Sequence, residues 1–273
     1  MSATPLAPYA VAPSRCLDLP GFRAHDPYPM RSPLVAADFL VDRLEAAAKV
    51  APDTAITSYV EVGTRDGDNI ACVAQLARQR GIRFRATAVE QSPRRCEALR
   101  ARAAEASPHS KAYPTTSSFQ VVETQVNEST YLQALPVADV YYYWGITSTN
   151  VQMVRWMDEA ARARGRGGTA YLGFDWHYPS DRAAMAPTLL ALRDAKGNSS
   201  VSVNRLFFDE SEGREDVDPA VDEKGERRAT YTKPFAKRPG HWGVFHVVRV
   251  KVGAGSARLP PGIERKLARK LDW

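Results

Sequence analysis

The sequence predicts a single α/β domain on a doubly wound, mostly parallel sheet of seven strands whose last pair is antiparallel. Five short β-type runs alternate with helical periodicities between Tyr59 and Phe174. Two further runs, 201–208 and 242–252, follow with no helix between them, so they should pair antiparallel. A chain of 273 residues can bury one good core, and these elements fill it without a second domain.

The first 33 residues hold seven prolines and read as an extended arm, 1–33. Their start lacks the charged-then-apolar pattern of a secretory signal. Leu34 to Lys49 is a helix candidate that packs beside the first strand and opens the main domain, 34–252. The first strand, Tyr59-Val60-Glu61-Val62, runs into Gly63-Thr64-Arg65-Asp66-Gly67-Asp68-Asn69. An apolar run, an acid, a glycine turn and a helix start form the order in which a parallel sheet holds a nucleotide-like ligand at its edge. Gly63 and Gly67 can take backbone angles closed to other residues and let a ligand approach the main chain. Asp68 or Asn69 is expected to cap the helix, which carries Ile70, Val73, Ala74 and Ala77 on one face and stops at Gly81.

The Gly-x-Gly-x-x-Gly pattern of dinucleotide enzymes is absent, because Arg65 stands at the middle glycine. Asp66 and Asp68 add negative charge where a pyrophosphate would lie, so a cationic ligand is the better electrostatic match. A plain strand-to-helix turn with no ligand is the alternative.

Glu61-x-Gly63-Thr64-x-x-Gly67-x-Asn69 resembles motif I of class I S-adenosylmethionine (SAM)-dependent methyltransferases, in the version common among catechol-type O-methyltransferases. The resemblance covers residues 55 to 252 through motif order, not through a long identical run. It implies a Rossmann-like fold and SAM as cofactor. Glu61, Gly63, Thr64, Arg65, Gly67 and Asn69 would hold the methionine part.

The second strand, Phe84 to Glu90, ends in an acid 23 positions after Gly67, near the distance at which such sheets place a carboxylate for ribose hydroxyls. Glu90, with Gln91 beside it, takes that role; a solvated strand-end acid is the other reading. Ser92-Pro93 opens the next helix, whose Cys96, Leu99 and Ala103 face one way. After the third strand, Phe119–Thr124, the resemblance puts Gln125 and Val126 at the adenine edge. A polar loop is the equal alternative.

The fourth strand, Ala138 to Tyr143, ends at Trp144-Gly145. In the family this end faces the methyl group. The Asn/Asp-Pro-Pro-Tyr signature of base-amino methylation is missing, and Trp144 stands where metal-dependent relatives carry Asp, so no metal site is expected. Tyr143 and Trp144 could offer ring faces to a sulfonium, or serve as sheet packing. A helix opens at Thr147–Asn150, carries Val151, Val154 and Met157, and closes in the basic Arg162–Gly168 run. The fifth strand, Thr169 to Phe174, is followed by Asp175-Trp176-His177-Tyr178-Pro179. Here His177 is the candidate general base, with Asp175 to orient it and Tyr143 opposite; a surface-turn histidine is the other reading. The last helix carries Leu189, Leu190 and Leu192, ends at Lys196, and should start near Pro187, since proline is tolerated only in a first turn.

Residues 209–240 form a charged connection that is a lid or a solvated loop. Between Asp209 and Arg228 it has nine acids against four bases. In 253–273, Gly253–Ser256 reads as a linker, and Ile263, Leu267 and Leu271 as a short basic helix: docked, partner-binding, or touching an acidic surface. The net charge of +6 does not establish nucleic-acid binding, and nucleic acid is disfavoured as a partner. No apolar run approaches a membrane span. Cys16, Cys72 and Cys96 are odd in number and do not read as a disulfide framework or a zinc site, which points to a reducing, cytoplasmic setting.

The expectation is therefore a monomeric or homodimeric, metal-independent SAM enzyme acting on oxygen or nitrogen of a small-molecule acceptor. An NAD or nucleotide-sugar enzyme and an inactive methyltransferase-like scaffold are the rivals.

Overall fold

The computed structural model of the chain describes residues 34–50, 56–65, 67–105, 119–145, 147–175, 179–209 and 242–263. The elements run α1 (Leu34–Val50), β1 (Thr57–Val62), α2 (Asp68–Gln79), β2 (Phe84–Glu90), α3 (Pro93–Glu105), β3 (Phe119–Glu123), α4 (Tyr131–Ala134), β4 (Val140–Trp144), α5 (Thr147–Ala163), β5 (Gly167–Asp175), α6 (Pro179–Lys196), β6 (Val201–Asp209) and β7 (Trp242–Gly253). The sheet order is β3-β2-β1-β4-β5-β7-β6. Strands β1 to β5 are parallel, and β7 runs antiparallel to both β5 and β6. This is the doubly wound sheet with an antiparallel end that the alternation of elements predicts.

Side-chain alternation along the strands sorts the core into two layers. On one face Tyr59, Ala86, Ala88 and Tyr142 pack with Phe39, Leu40 and Leu44 of α1, with Val73 and Leu76 of α2, and with Leu99 of α3. On the other, Val60, Val62, Tyr141, Leu172 and Phe174 pack with Val154 and Met157 of α5 and Leu192 of α6. Chain progression reverses at β1: α2 and α3 carry the sheet one way and α5 the other. The crevice between the carboxyl ends of β1 and β4 is therefore the switch point, where open sheets bind ligands.

At the opposite end, Lys196 donates to Asp158 Oδ1 (2.9 Å), Ser256 Oγ (3.1 Å) and the Ala257 carbonyl (2.8 Å). Arg162 donates to Asp158 Oδ2 (3.0 Å), and the Gly253 N–H reaches Asp158 Oδ1 (2.6 Å). The segment read as a linker is thus held by a buried charged cluster, and Leu259 and Ile263 beyond it are buried against the α5–α6 layer.

Three expectations change. Helix α6 starts at Pro179, so Pro187 lies inside it. Packing of Met185, Leu189 and Leu192 outweighs the lost backbone bond. Helix α2 has no side-chain cap: its N-cap is Gly67, and the Asn69 amide turns inward instead. Cys72 is disulfide-bonded and Cys96 is a free, buried thiol, which removes the ground for reading a reducing compartment from the cysteines. Pairing depends on approach in space, which spacing along a chain does not reveal. The remaining cysteine, Cys16, lies outside the described residues, as do the arm 1–33, most of 209–240 and the tail beyond 263. No described helix is long and apolar enough to cross a membrane.

Candidate functional site

The site is built from the turns after β1, β2 and β4. Gly63 (φ 70°) and Gly67 (φ 78°) both sit in the left-handed region, with Arg65 (φ 53°) between them. The two glycines serve different ends. A Cβ on Gly67 would lie 2.2 Å from Leu99 Cδ2, whereas one on Gly63 would face open space, with only the Tyr143 ring edge at 3.9 Å. Gly67 lets the turn close on α3; Gly63, exposed, leaves the main chain open at the switch point.

Beneath the turn, Glu61 is 4% exposed. Its Oε2 accepts from the Tyr59 hydroxyl and from Asn69 Nδ2, both at 2.7 Å. Burial, and next the negative charge of Glu61, hold the Tyr59 phenol well above its usual range, so it stays a proton donor. Glu90 is 3% exposed. Its Oε2 accepts from the Arg65 backbone N–H (3.0 Å), and its Oε1 from those of Gln91 and Ser92 (3.0 Å each). Thr64 Oγ1 and Asn69 Oδ1 are buried and make no hydrogen bond among the described residues.

At the end of β4, the Arg65 guanidinium lies 5.7 Å from the centroid of the Trp144 ring. That face of Trp144 is turned to Arg65, which leaves Tyr143, beside Gly63, as the ring next to the open turn. The Tyr143 hydroxyl is 2.5 Å from Thr149 Oγ1. Burial raises its pKa, partly opposed by the Thr149 bond and the charge of Arg65, so Tyr143 is a neutral hydroxyl at neutral pH. Gln125 is exposed two residues past β3, and Val126 beside it packs on the α5 layer.

The structure thus gathers Glu61, Gly63, Thr64, Arg65, Gly67, Asn69, Glu90, Gln91, Tyr143 and Trp144 at one sheet edge. Asp175 is the last residue of β5, opposite Phe245; His177 lies outside the described residues. One residue at this edge escapes a motif-based reading. His246 on β7 is buried and pairs in register with Phe174 and Arg205. Since β7 runs antiparallel to β5, its first residues must lie at the ligand edge; that pairing was the available signal.

No protein-family model and no curated protein matches the chain. Among solved structures it is similar to cofactor-bound Rv0187 from MTB (17% identity, 83% of this chain and 84% of that chain, TM-score 0.48). It is also similar to the O-methyltransferase TomG from Streptomyces achromogenes in complex with SAM (13%, 90% and 93%, 0.46). A third likeness is to a putative O-methyltransferase from Klebsiella pneumoniae (14%, 88% and 92%, 0.46). Overall likenesses this distant do not assign a function, which has to come from the site.

Proposed function

We propose that the chain is a SAM-dependent methyltransferase that transfers a methyl group to an oxygen or nitrogen of a small-molecule acceptor without a divalent metal. The observation that carries this reading is the open Gly63–Gly67 turn at the β1/β4 switch point, flanked by two buried carboxylates, Glu61 and Glu90. When bound, SAM supplies a methyl group activated by a sulfonium. The residues fit such a cofactor: Gly63 leaves room against the main chain, and Thr64 Oγ1 and Asn69 Oδ1 are buried polar atoms in need of partners. Glu61 to Asn69 would hold the amino-acid part, Glu90 and Gln91 the ribose, and Gln125 and Val126 the adenine edge. Residues 34–252 would form the catalytic domain.

Binding and orientation do most of the work in this reading. Holding acceptor and methyl group in line, with water excluded, removes much of the barrier. Tyr143 and Trp144 wall the site, and Asp175 and His177 would meet the acceptor at the end of β5, with His177 taking its proton. A metal is not required because Trp144, not a carboxylate, ends β4.

Calorimetry with S-adenosylhomocysteine and with NAD tests the reading: the first should bind and the second should not. Turnover over an acceptor panel, with and without EDTA, tests the rest. Binding of NAD alone refutes the cofactor assignment. Cofactor binding with no turnover on any acceptor favours a scaffold, and EDTA inactivation reversed by Mg²⁺ refutes metal independence.

A further inference from the structure

We propose that Glu90 is a positioning residue that staples the two cofactor-binding turns to each other, in addition to any contact with a ribose. The proposal deepens the SAM reading above and rests on it for its functional consequence, but not for its geometry.

A ribose ligand would keep its carboxylate free for hydroxyls. Here three of the roughly four acceptor positions of the carboxylate are filled by the chain itself. One oxygen takes the N–H groups of Gln91 and Ser92, in its own turn. The other takes the N–H of Arg65, 25 residues earlier, at the tip of the turn after β1. Register pairs Val62 with Val89, so the two turns leave adjacent strands side by side, and Glu90 bridges the gap. The Glu90 carbonyl also accepts from the Thr124 N–H and from Cys96 Sγ, tying the same residue to the turn after β3 and to α3.

What Glu90 holds is a strained residue. Arg65 is the one described non-glycine at positive φ, a conformation that costs free energy in any residue with a Cβ. A charge-assisted bond from its N–H is of the size needed to offset that cost. With the bond in place, Gly63 and Thr64 are fixed before any ligand arrives. One acceptor position then remains on the carboxylate. A ribose hydroxyl engaging it would join a group already bonded to the methionine-side turn, so the two halves of the site are coupled.

The test uses Glu90→Gln and Glu90→Ala, with two ligands that share a ribose. S-adenosylhomocysteine reaches the Gly63–Gly67 turn through its amino-acid half; 5′-methylthioadenosine lacks that half. The staple predicts that Glu90→Gln, which sets an NH₂ against backbone donors, weakens S-adenosylhomocysteine by roughly tenfold more than 5′-methylthioadenosine. It also predicts faster amide hydrogen exchange at residues 63–67 in the ligand-free variant than in wild type. A pure ribose ligand weakens both compounds by the same factor and leaves ligand-free exchange unchanged, and that result overturns the proposal. If neither compound binds wild type, the SAM reading fails, while exchange in the ligand-free protein still decides the staple. If Glu90→Ala does not fold, the near-isosteric Glu90→Gln carries the test alone.

Discussion

The same small change at the two turn glycines should fall mainly on stability at Gly67 and mainly on ligand affinity at Gly63. Gly67→Ala places a methyl 2.2 Å from Leu99 Cδ2, a fully buried side chain, at φ 78°. The left-handed conformation costs about 1–2 kcal/mol and the overpacking another ~1–3 kcal/mol, so destabilisation of about 2–5 kcal/mol is expected. Gly63→Ala carries only the conformational part, about 1–2 kcal/mol, because its methyl meets nothing closer than 3.9 Å. That methyl does occupy the space in which a ligand would approach the main chain. Affinity for S-adenosylhomocysteine should fall roughly tenfold or more, on the scale of ~1–3 kcal/mol for an overpacked contact. Urea unfolding reads the first quantity and calorimetry the second, provided m is unchanged. Adding Leu99→Ala to Gly67→Ala closes the cycle: the double variant should be less destabilised than the sum of the singles by about 1–3 kcal/mol. Equal stabilities for the two alanine variants, or additivity within ~0.5 kcal/mol, would refute the division of labour between the glycines.

Asp158→Ala leaves the buried Lys196 without its carboxylate and should cost about 3–5 kcal/mol in urea unfolding; a loss under ~1 kcal/mol would mean that the cluster relaxes into solvent. Burial pushes the Tyr141 phenol up to about 12 from the usual 10. Its contribution to stability is complete below pH 10 and is lost as pH rises through the folded value, because the unfolded phenol ionises first. Tyr141→Phe should therefore lose stability less steeply than wild type between those two values, and an identical slope argues against the shift. His177→Ala should lower turnover with cofactor affinity nearly intact and should flatten a rate that rises through a histidine-like pKa; full activity with an unaltered pH profile removes His177 from the mechanism.

The succession of strands and helices was legible because its signals are local. Apolar runs ending in Glu61, Glu90 and Trp144 mark buried parallel strands, and helical stripes such as Ile70, Val73 and Ala77 mark the faces that cover them. The turn was legible as a motif but not as a mechanism. That Gly67 answers to Leu99, 32 residues later, and that Glu90 reaches back to Arg65, are facts of approach in space. Asn69 illustrates the same limit. Locally it is a good cap, but its amide goes to the buried carboxylate of Glu61 instead. The start of α6 and the bond at Cys72 were missed for like reasons: packing overrode a proline rule, and pairing left no mark in the spacing.

Negative charge at the turn disfavours a dinucleotide, and the fold changes which residues supply it. In the sequence that charge is read from Asp66 and Asp68. In the structure it is carried by Glu61, buried beneath the turn, because Glu90, on the adjacent strand, stands where dinucleotide folds also place a ribose acid. A buried carboxylate is tolerated only when its oxygens are satisfied. Here the donors are a tyrosine hydroxyl and an amide for Glu61, and three backbone N–H groups for Glu90. These donors are neutral, so they satisfy the oxygens without cancelling the carboxylate charge. In a low-dielectric setting that charge acts strongly on whatever lies over the turn. A pyrophosphate would be repelled by Glu61, in the place where a dinucleotide fold needs it bound. A ligand with an ammonium and a sulfonium meets the same two carboxylates as attraction, and the N–H of Arg65, which could otherwise have turned to a phosphate, already points into Glu90.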